Sequence, residues 1–390
     1  MNTIEKFNEH VMQTYGRLNV VMDNGGGVTA HDENGKEYID FGSGIGVNSL
    51  GFCDEKWADA VCAQVRSVQH TSNYYYTKIQ ADFAEKLCSA AGYSRVFFGN
   101  SGAEANECAI KTARKYSFDK YGKDAQRYNI ITLKNSFHGR TITTLSATGQ
   151  DSFHNYFFPF TPGFKFADPD DISDLKANID GTVCAVMIEF IQGEGGVNVL
   201  DKDYVKAVSE ICAEKDILLI ADEVQTGVGR TGKFLASEHY GVKPDITTLA
   251  KGIAGGVPMG ACLVNEKTSG VLVKGTHGST FGGNPLACAG GCVVVDRCMS
   301  DGFLEEVTRK GEYFRQKLSA FKGVKSISGI GLMIGIEPES KNAADIMTAA
   351  ADNGLLVLTA KSKVRLLPPL TISYEDIDKG LSILEKLFAD

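Results

Sequence analysis

Residues 216–234 read DILLIADEVQTGVGRTGKF. The left half is an apolar run that ends in two acids. The right half, Gly227 to Lys233, fits the G-x-x-x-x-G-K frame of a phosphate-binding loop. Such a loop needs Ser or Thr after its lysine to ligate magnesium, and position 234 is Phe234. Asp222 and Glu223 also stand between the strand-like run and the glycines, so the loop does not directly follow its strand. A nucleotidase reading therefore fails on its own motif. What decides the fold is the run itself and the company it keeps.

ILLIAD at 217–222 lacks polar alternation. So do RVFFG at 95–99, YNIITL at 128–133, VCAVMIEF at 183–190, DITTLA at 245–250 and ACLV at 261–264. Continuous apolar runs of this length are expected of strands covered on both faces. Between them lie segments with helical spacing, such as Trp57, Val61, Val65 and Val68, or Val205, Val208 and Ile211. The alternation predicts an α/β fold with a mostly parallel central sheet, in a large domain over 51–285. Residues 1–50 and 286–390 predict a smaller α+β domain. In it we expect a helix near 303–320, a strand in GIGLMIGIE, a helix near 341–352 and strands in LLVLT and VRLLPP. A last helix opens at Ser373, with Asp376 three residues on. The N-terminal GGGVTAHDENGKEYIDF predicts a hairpin about Asn34-Gly35 that joins the C-terminal part.

Composition narrows the function classes. A chain of 390 residues, 43% hydrophobic and 23% charged, has an ordinary globular make-up. Its net charge of −8, with no long basic block, argues against nucleic acid or an anionic membrane as partner. No run of about 18 apolar residues occurs, and MNTIEKFNEHVMQTYG reads as neither a signal nor a transit peptide, so a cytoplasmic location is expected. The ten cysteines are scattered without a C-x-x-C. Even the closest group, Cys288, Cys292 and Cys298, reads as small buried hydrophobes rather than metal ligands, and no metal site is expected.

Ligands of a parallel α/β sheet bind beyond the carboxyl ends of its strands. After RVFFG comes NSGAEAN, where Ser101 and Glu104 fit a capping box and Gly102 and Ala103 leave N–H groups at a positive helix end. Alone this is an ordinary cap. After YNIITL comes Lys134-Asn135-Ser136-Phe137-His138-Gly139-Arg140. Its Phe137 could stack on a flat ligand and its Arg140 could hold a carboxylate. After VCAVMIEF, the turn Gln192-Gly193-Glu194-Gly195-Gly196 bears an acid. After ILLIA, Asp222 is costly unless it meets a cation. After DITTLA comes Lys251, a candidate amine nucleophile if burial lowers its pKa. Together these residues ask for one ligand with a phosphate, a flat ring, a ring cation facing Asp222 and a carbonyl for Lys251. Pyridoxal phosphate meets all four demands.

At these residues the chain resembles the class III, or ω-, aminotransferases of the fold-type I pyridoxal-phosphate enzymes, whose fold is aspartate aminotransferase-like. The motifs NSGAEANE, FHGRT, QGEGG, ADEVQTGVGRTGKF, LAKGIAGGVPMG, HGSTFGGNPLACA and VRLLPPL carry the resemblance over nearly the whole length. It implies that Lys251 links the cofactor and shuttles a proton, that Asp222 pairs with the ring nitrogen, and that Phe137 stacks on the ring. Gly102 and Ala103 would bind phosphate and Gln225 the ring hydroxyl, with Glu223 and Val224 also at the cofactor. Thr280 would reach the phosphate held by a second subunit, making the active unit a homodimer. Arg140 and Ser279 would bind an acylated substrate, and Arg365 a carboxylate of glutamate, with Glu194 neutralising Arg365 while the amino donor is bound.

Within the family, SGIGVNSLG and the short N-terminus look most like the subgroup that acts on N2-acetylornithine with 2-oxoglutarate. Ornithine, succinylornithine, succinyldiaminopimelate or 4-aminobutyrate remain alternative donors. An aminomutase acting on glutamate 1-semialdehyde also shares the fold and cofactor. Two departures bear on the subgroup: Phe190 stands where the family commonly has Pro, and Phe52 follows Gly51 where His is usual. A dinucleotide-binding reading fails because Gly42-Ser43-Gly44-Ile45-Gly46 and Gly329-Ile330-Gly331 fall short of G-x-G-x-x-G.

Overall fold

The fold is described from a computed structural model, which covers residues 1–389. The opening stretch supplies the middle strand of a seven-stranded sheet. In chain order the strands are β1 (Arg95–Gly99), β2 (Asn129–Leu133), β3 (Phe164–Ala167), β4 (Val183–Ile188), β5 (Leu218–Asp222), β6 (Ile246–Leu249) and β7 (Gly260–Val264). Their spatial order is β1-β7-β6-β5-β4-β2-β3. Only β7 runs against its neighbours β6 and β1, so β1, β2, β4, β5 and β6 all end on one side.

Burial on both faces explains the unbroken apolar runs. Ile131, Val186, Ile188, Leu219 and Ala221 pack against Val205, Val208 and Cys212 of the helix Lys202–Glu214. Ile130, Ala185, Met187, Leu218 and Ile220 face the other way, onto Cys108, Ala109 and Ala113 of helix α1 (Gly102–Tyr121). Alternate residues of one strand thus serve opposite layers, each fully buried large side chain contributing about 1.5–3 kcal/mol. The one strand the sequence reading omits is β3. It is an edge strand, half-buried in FKFA rather than sealed on both faces, and it gives no apolar run.

The first and last parts of the chain meet. Thr29–Asp32 and Glu37–Asp40 form the expected hairpin, and Ile39 pairs with Leu355 in parallel. The helix Phe303–Leu318 lies where its pattern predicts, as do Ala343–Asp352 and Tyr374–Ala389. Ser373 caps the last of these, its Oγ accepting from Asp376 N at 3.0 Å. GIGLMIGIE differs from expectation: it is a hairpin corner, not one strand. Val324–Ile330 and Met333–Pro338 pair antiparallel about Gly331, whose φ of +57° and close approach to the Thr231 backbone admit no side chain. The Glu55–Val65 helix also stops short of Val68.

The glycines that mimic a phosphate loop shape a link between the two parts. Arg230 is buried among them and donates to Leu332 O (3.1 Å) and Pro368 O (2.5 Å), burial pushing its guanidinium down to about 9. Lys233 is exposed. No helix among the described residues is long and apolar enough to cross a membrane.

Strand β7 approaches the start of α1 so closely that a Cβ at Gly260 would lie 2.0 Å from Ser101 O. Gly260→Ala should therefore cost about 1–3 kcal/mol in chemical denaturation, as overpacking does. Because the displaced atoms belong to the helix cap, cofactor affinity measured by titration should fall with it.

Candidate active site

Five strand ends converge on one cavity of about 430 Å³. Gly102, Ala103, Phe137, Arg140, Glu194, Asp222, Val224, Gln225 and Lys251 all line it. A volume of this order suits a small cofactor with a substrate.

At the β1 end, Ser101 Oγ caps α1 by accepting from Glu104 N at 3.2 Å. The expected reciprocal bond shifts by one residue. The Glu104 carboxylate accepts from Asn100 N and Asn100 Nδ2 rather than from Ser101 N. The N–H groups of Gly102 and Ala103 find no acceptor among the described residues, leaving two donors at the positive end of a helix of 20 residues.

At the β5 end, Asp222 is only 4% exposed. Its Oδ2 accepts from Asn106 Nδ2 and lies against His138 Nδ1, both at 2.8 Å, while Oδ1 accepts from Val224 N at 3.0 Å. Asn106 is itself fixed, donating to His138 O (2.8 Å) and accepting from Thr248 Oγ1 (2.7 Å). Sequence reasoning named His138 without a role and missed Asn106. The available signal was a polar residue on the buried face of a helix, between Ala105 and Ala109, where Asn is unfavourable unless it has a partner.

Glu189, at the β4 end, was also missed. Its Oε2 accepts from Phe137 N at 2.9 Å and its Oε1 from Gly193 N at 3.4 Å, so it ties the aromatic loop to the turn that carries Glu194. Burial, reinforced by the nearby Asp222, holds this carboxyl well above the usual carboxylate range.

Lys251 follows β6 with a φ of +49°, a strained conformation for a non-glycine residue of the kind that collects at functional sites. Burial pushes its amine below the ordinary lysine value, against the pull of Glu194, Asp222 and Glu189. Arg365, 3% exposed, donates from Nη1 to Glu194 Oε1 (2.6 Å), Gln225 Oε1 (3.1 Å) and Gly193 O (3.2 Å). Burial raises the pKa of Glu194, but Arg365 overcomes this and holds it below the ordinary value. Arg140 is exposed, its guanidinium 4.1 Å from the Phe153 ring centre and 5.6 Å from that of Phe137.

Three of the expected residues lie elsewhere. Glu223 is a correction: its carboxylate faces away from the cavity and accepts from Ala236 N (2.5 Å), Ser237 N (3.0 Å) and Thr226 Oγ1 (3.3 Å). Burial raises it to about 7. It braces the loop beyond the site. Ser279 accepts from Asn100 Nδ2 (3.1 Å) and Gly282 N (3.0 Å) beside the cavity rather than in its lining. Thr280 lines a separate cleft with His70, Asn73 and Gln80.

The residues present fit pyridoxal phosphate. Two free helix-end donors suit its phosphate, the Phe137 ring its flat face, the fixed Asp222 carboxylate its ring nitrogen, and the buried Lys251 amine its carbonyl. Asn106→Ala should leave Asp222 Oδ2, His138 O and Thr248 Oγ1 each short of a partner. The expected loss is about 1–3 kcal/mol in denaturant unfolding, with weaker cofactor binding, while Asn106→Asp should place two acids together and lose more.

Comparisons with known proteins give the family. The chain matches the family Aminotransferase class-III over residues 11–388. It is 50% identical over 383 residues to the acetylornithine aminotransferase of Haemophilus ducreyi, covering 98% of this chain and 97% of that protein. Among solved structures it is similar to the acetylornithine aminotransferase of Elizabethkingia anophelis (TM-score 0.87, 34% identity, 99% of this chain and 97% of that one). It is also similar to the ornithine aminotransferase of Toxoplasma gondii (TM-score 0.93, 36% identity, 99% and 93%), which has PLP at partial occupancy in its active site. The chain belongs to the class-III aminotransferases and is a fold-type I, pyridoxal-phosphate-dependent enzyme.

Proposed function

We propose that the enzyme moves the terminal amino group of N2-acetylornithine to 2-oxoglutarate, yielding N-acetylglutamate 5-semialdehyde and glutamate, a step of arginine biosynthesis. The observation that carries this reading is the Glu194–Arg365 pair at the edge of the cavity that holds Lys251. A ω-amino donor has no carboxylate beside its reacting amine, whereas glutamate has one. A carboxylate-binding arginine that its own acid can cover suits both in turn. The curated relatives at 40–50% identity, acetylornithine aminotransferases by name, support the choice of donor.

Pyridoxal phosphate, when bound, supplies a carbonyl that exchanges with amines and an electron-poor ring that stabilises negative charge on the adjacent carbon. The chain's own residues do the rest. Asp222, held in place by Asn106 and His138, would face the ring nitrogen. Lys251, its amine disposed by burial to give up a proton, serves as base and acid between substrate and cofactor. Phe137 would cover one face of the ring, and Arg140 would receive the acyl end of the donor.

We further propose a cytoplasmic homodimer whose sites are shared, with the chain divided into a large part, 51–285, and a small part, 1–50 with 286–390. Thr280 would serve the partner's phosphate. In support, Tyr74, Tyr75 and Tyr76 are exposed at 94%, 71% and 106%, and Phe281 at 59%. Asn73 ties their segment to the Thr280 loop by donating to Ser279 O (3.1 Å) and Gly282 O (3.0 Å). The N-terminal hairpin's pairing with Leu355 supports the division.

In a panel of amines with 2-oxoglutarate, N2-acetylornithine should give the highest kcat/KM; a strong preference for free ornithine or 4-aminobutyrate would overturn the substrate reading. Lys251→Ala should lose the visible band of the amine-linked cofactor and all turnover, while Arg365→Lys should keep the band and raise the KM for 2-oxoglutarate about tenfold, as loss of a charge-assisted contact implies. Thr280→Ala should weaken cofactor binding about tenfold without changing the sedimenting mass, and a monomeric wild type would rule out shared sites.

A further inference from the structure

The two arginines at the cavity are held in different ways. Arg365 is buried and paired with Glu194. Arg140 is exposed, and among the described residues no acid pairs with it. What it meets is aromatic. Its Cζ lies 4.1 Å over the Phe153 ring centre and 5.6 Å from that of Phe137.

The difference matters for binding. A ring face attracts a guanidinium through its quadrupole and takes none of its N–H donors. An arginine free on the surface gives up its rotamer freedom when it grips a ligand. One already laid on a ring has given up part of that freedom, and its fork of donors remains available to a carboxylate. Arg365 is thus a site its own acid covers, and Arg140 is a site held open.

Phe153 is itself well supported. It ends the short turn Asp151–Phe153, where Phe153 N donates to Gln150 O (3.0 Å) and His154 N to Asp151 O (2.9 Å). Gln150 is buried and donates through Nε2 to Ser136 O (3.2 Å), while Gly149 N donates to Ser136 Oγ (3.1 Å). No side chain fits at Gly149, where a Cβ would lie 2.0 Å from Leu133 O at the end of β2. Beyond the turn, His154 Nε2 donates to Leu145 O at 2.9 Å. The Phe153 ring meets that of Phe137 with centres 5.9 Å apart and planes at 67°, an edge-to-face contact of the kind aromatic pairs prefer. The turn is therefore tied to the loop that carries Phe137 and Arg140, although Phe153 does not line the cavity.

We propose that Phe153 is a positioning residue for the donor half of the reaction: its ring holds the Arg140 guanidinium so that the carboxylate at the acyl end of the donor meets it already oriented. The inference rests on the proposed role of Arg140 toward that end of the donor. Phe153 acts through Arg140 and touches no reacting atom.

The test follows the donor half-reaction of the holoenzyme by stopped flow, reading the loss of the visible cofactor band with N2-acetylornithine. Phe153→Leu removes the ring and keeps an apolar side chain. It should raise the half-saturating donor concentration about fivefold, the worth of an exposed cation–ring contact, with the limiting rate and the resting spectrum kept. Phe153→Tyr, which restores a ring face, should bring that concentration to within about twofold of wild type. Arg140→Ala should raise it further. Adding Phe153→Leu to Arg140→Ala should then change nothing more, because the ring has no cation left to hold. The inference fails if Phe153→Leu leaves half-saturation unchanged, lowers the limiting rate instead, or acts equally with Arg140→Ala present, while Arg140→Ala alone still weakens the donor. If Arg140→Ala leaves half-saturation unchanged, the role of Arg140 is wrong and this inference falls with it.

Discussion

A carboxylate buried at the end of an apolar strand is the constraint around which this structure is arranged. Asp222 ends β5 at the centre of the sheet and is 4% exposed. An isolated charge there would cost far more than the fold's net stability. Its partners come from three separate elements: Asn106 from helix α1, His138 from the loop after β2, and its own chain at Val224. Satisfying one side chain therefore registers the helix against the sheet and the aromatic loop against both. Thr248 on β6 completes the circuit by donating to Asn106. The residue that the chemistry needs charged is also the residue that orders its surroundings.

The same economy of charge governs the acid on the neighbouring strand. Glu189 ends β4 beside Asp222, and two ionised carboxylates cannot cheaply share a site. Burial and Asp222 together favour the protonated form of Glu189. It accepts from Phe137 N and Gly193 N, so it holds both loops beside Asp222. One acid is fixed for charge and the other for shape, and the difference lies in what surrounds them rather than in residue type.

The sheet was legible because its strands are buried on both faces and carry no polar alternation to confuse with a helix. β3 escaped because Lys165 interrupts its short run FKFA, and Val324–Pro338 because its turn is hidden inside apolar residues. In the site, Lys251, Asp222 and Phe137 stand at strand ends, where residue type and position suffice to draw attention. Asn106 and Glu189 could not be read that way, since their roles exist only through partners distant in sequence: Asp222 is 116 residues from Asn106, and Phe137 is 52 from Glu189. Glu223 misled for the converse reason. It adjoins Asp222 in the chain, but successive strand residues point to opposite faces, so its neighbour's place in the cavity puts Glu223 behind the sheet, where it braces Ala236 and Ser237.

The Glu194–Arg365 pair shows why a buried ion pair can serve a reaction better than a stronger contact would. Arg365 is nearly sealed and Glu194 is 30% exposed, so the acid is the member with room to move. Arg365 also donates to Gln225 and Gly193 O, which hold it in place if Glu194 departs. A carboxylate arriving with glutamate would meet a guanidinium already oriented, and would replace one carboxylate by another at little electrostatic cost. An amino donor without that carboxylate would leave the pair closed and the arginine neutralised. Two substrates of different charge can then use one cavity in alternation, because the exchange is between like groups and the net charge beside Lys251 changes little.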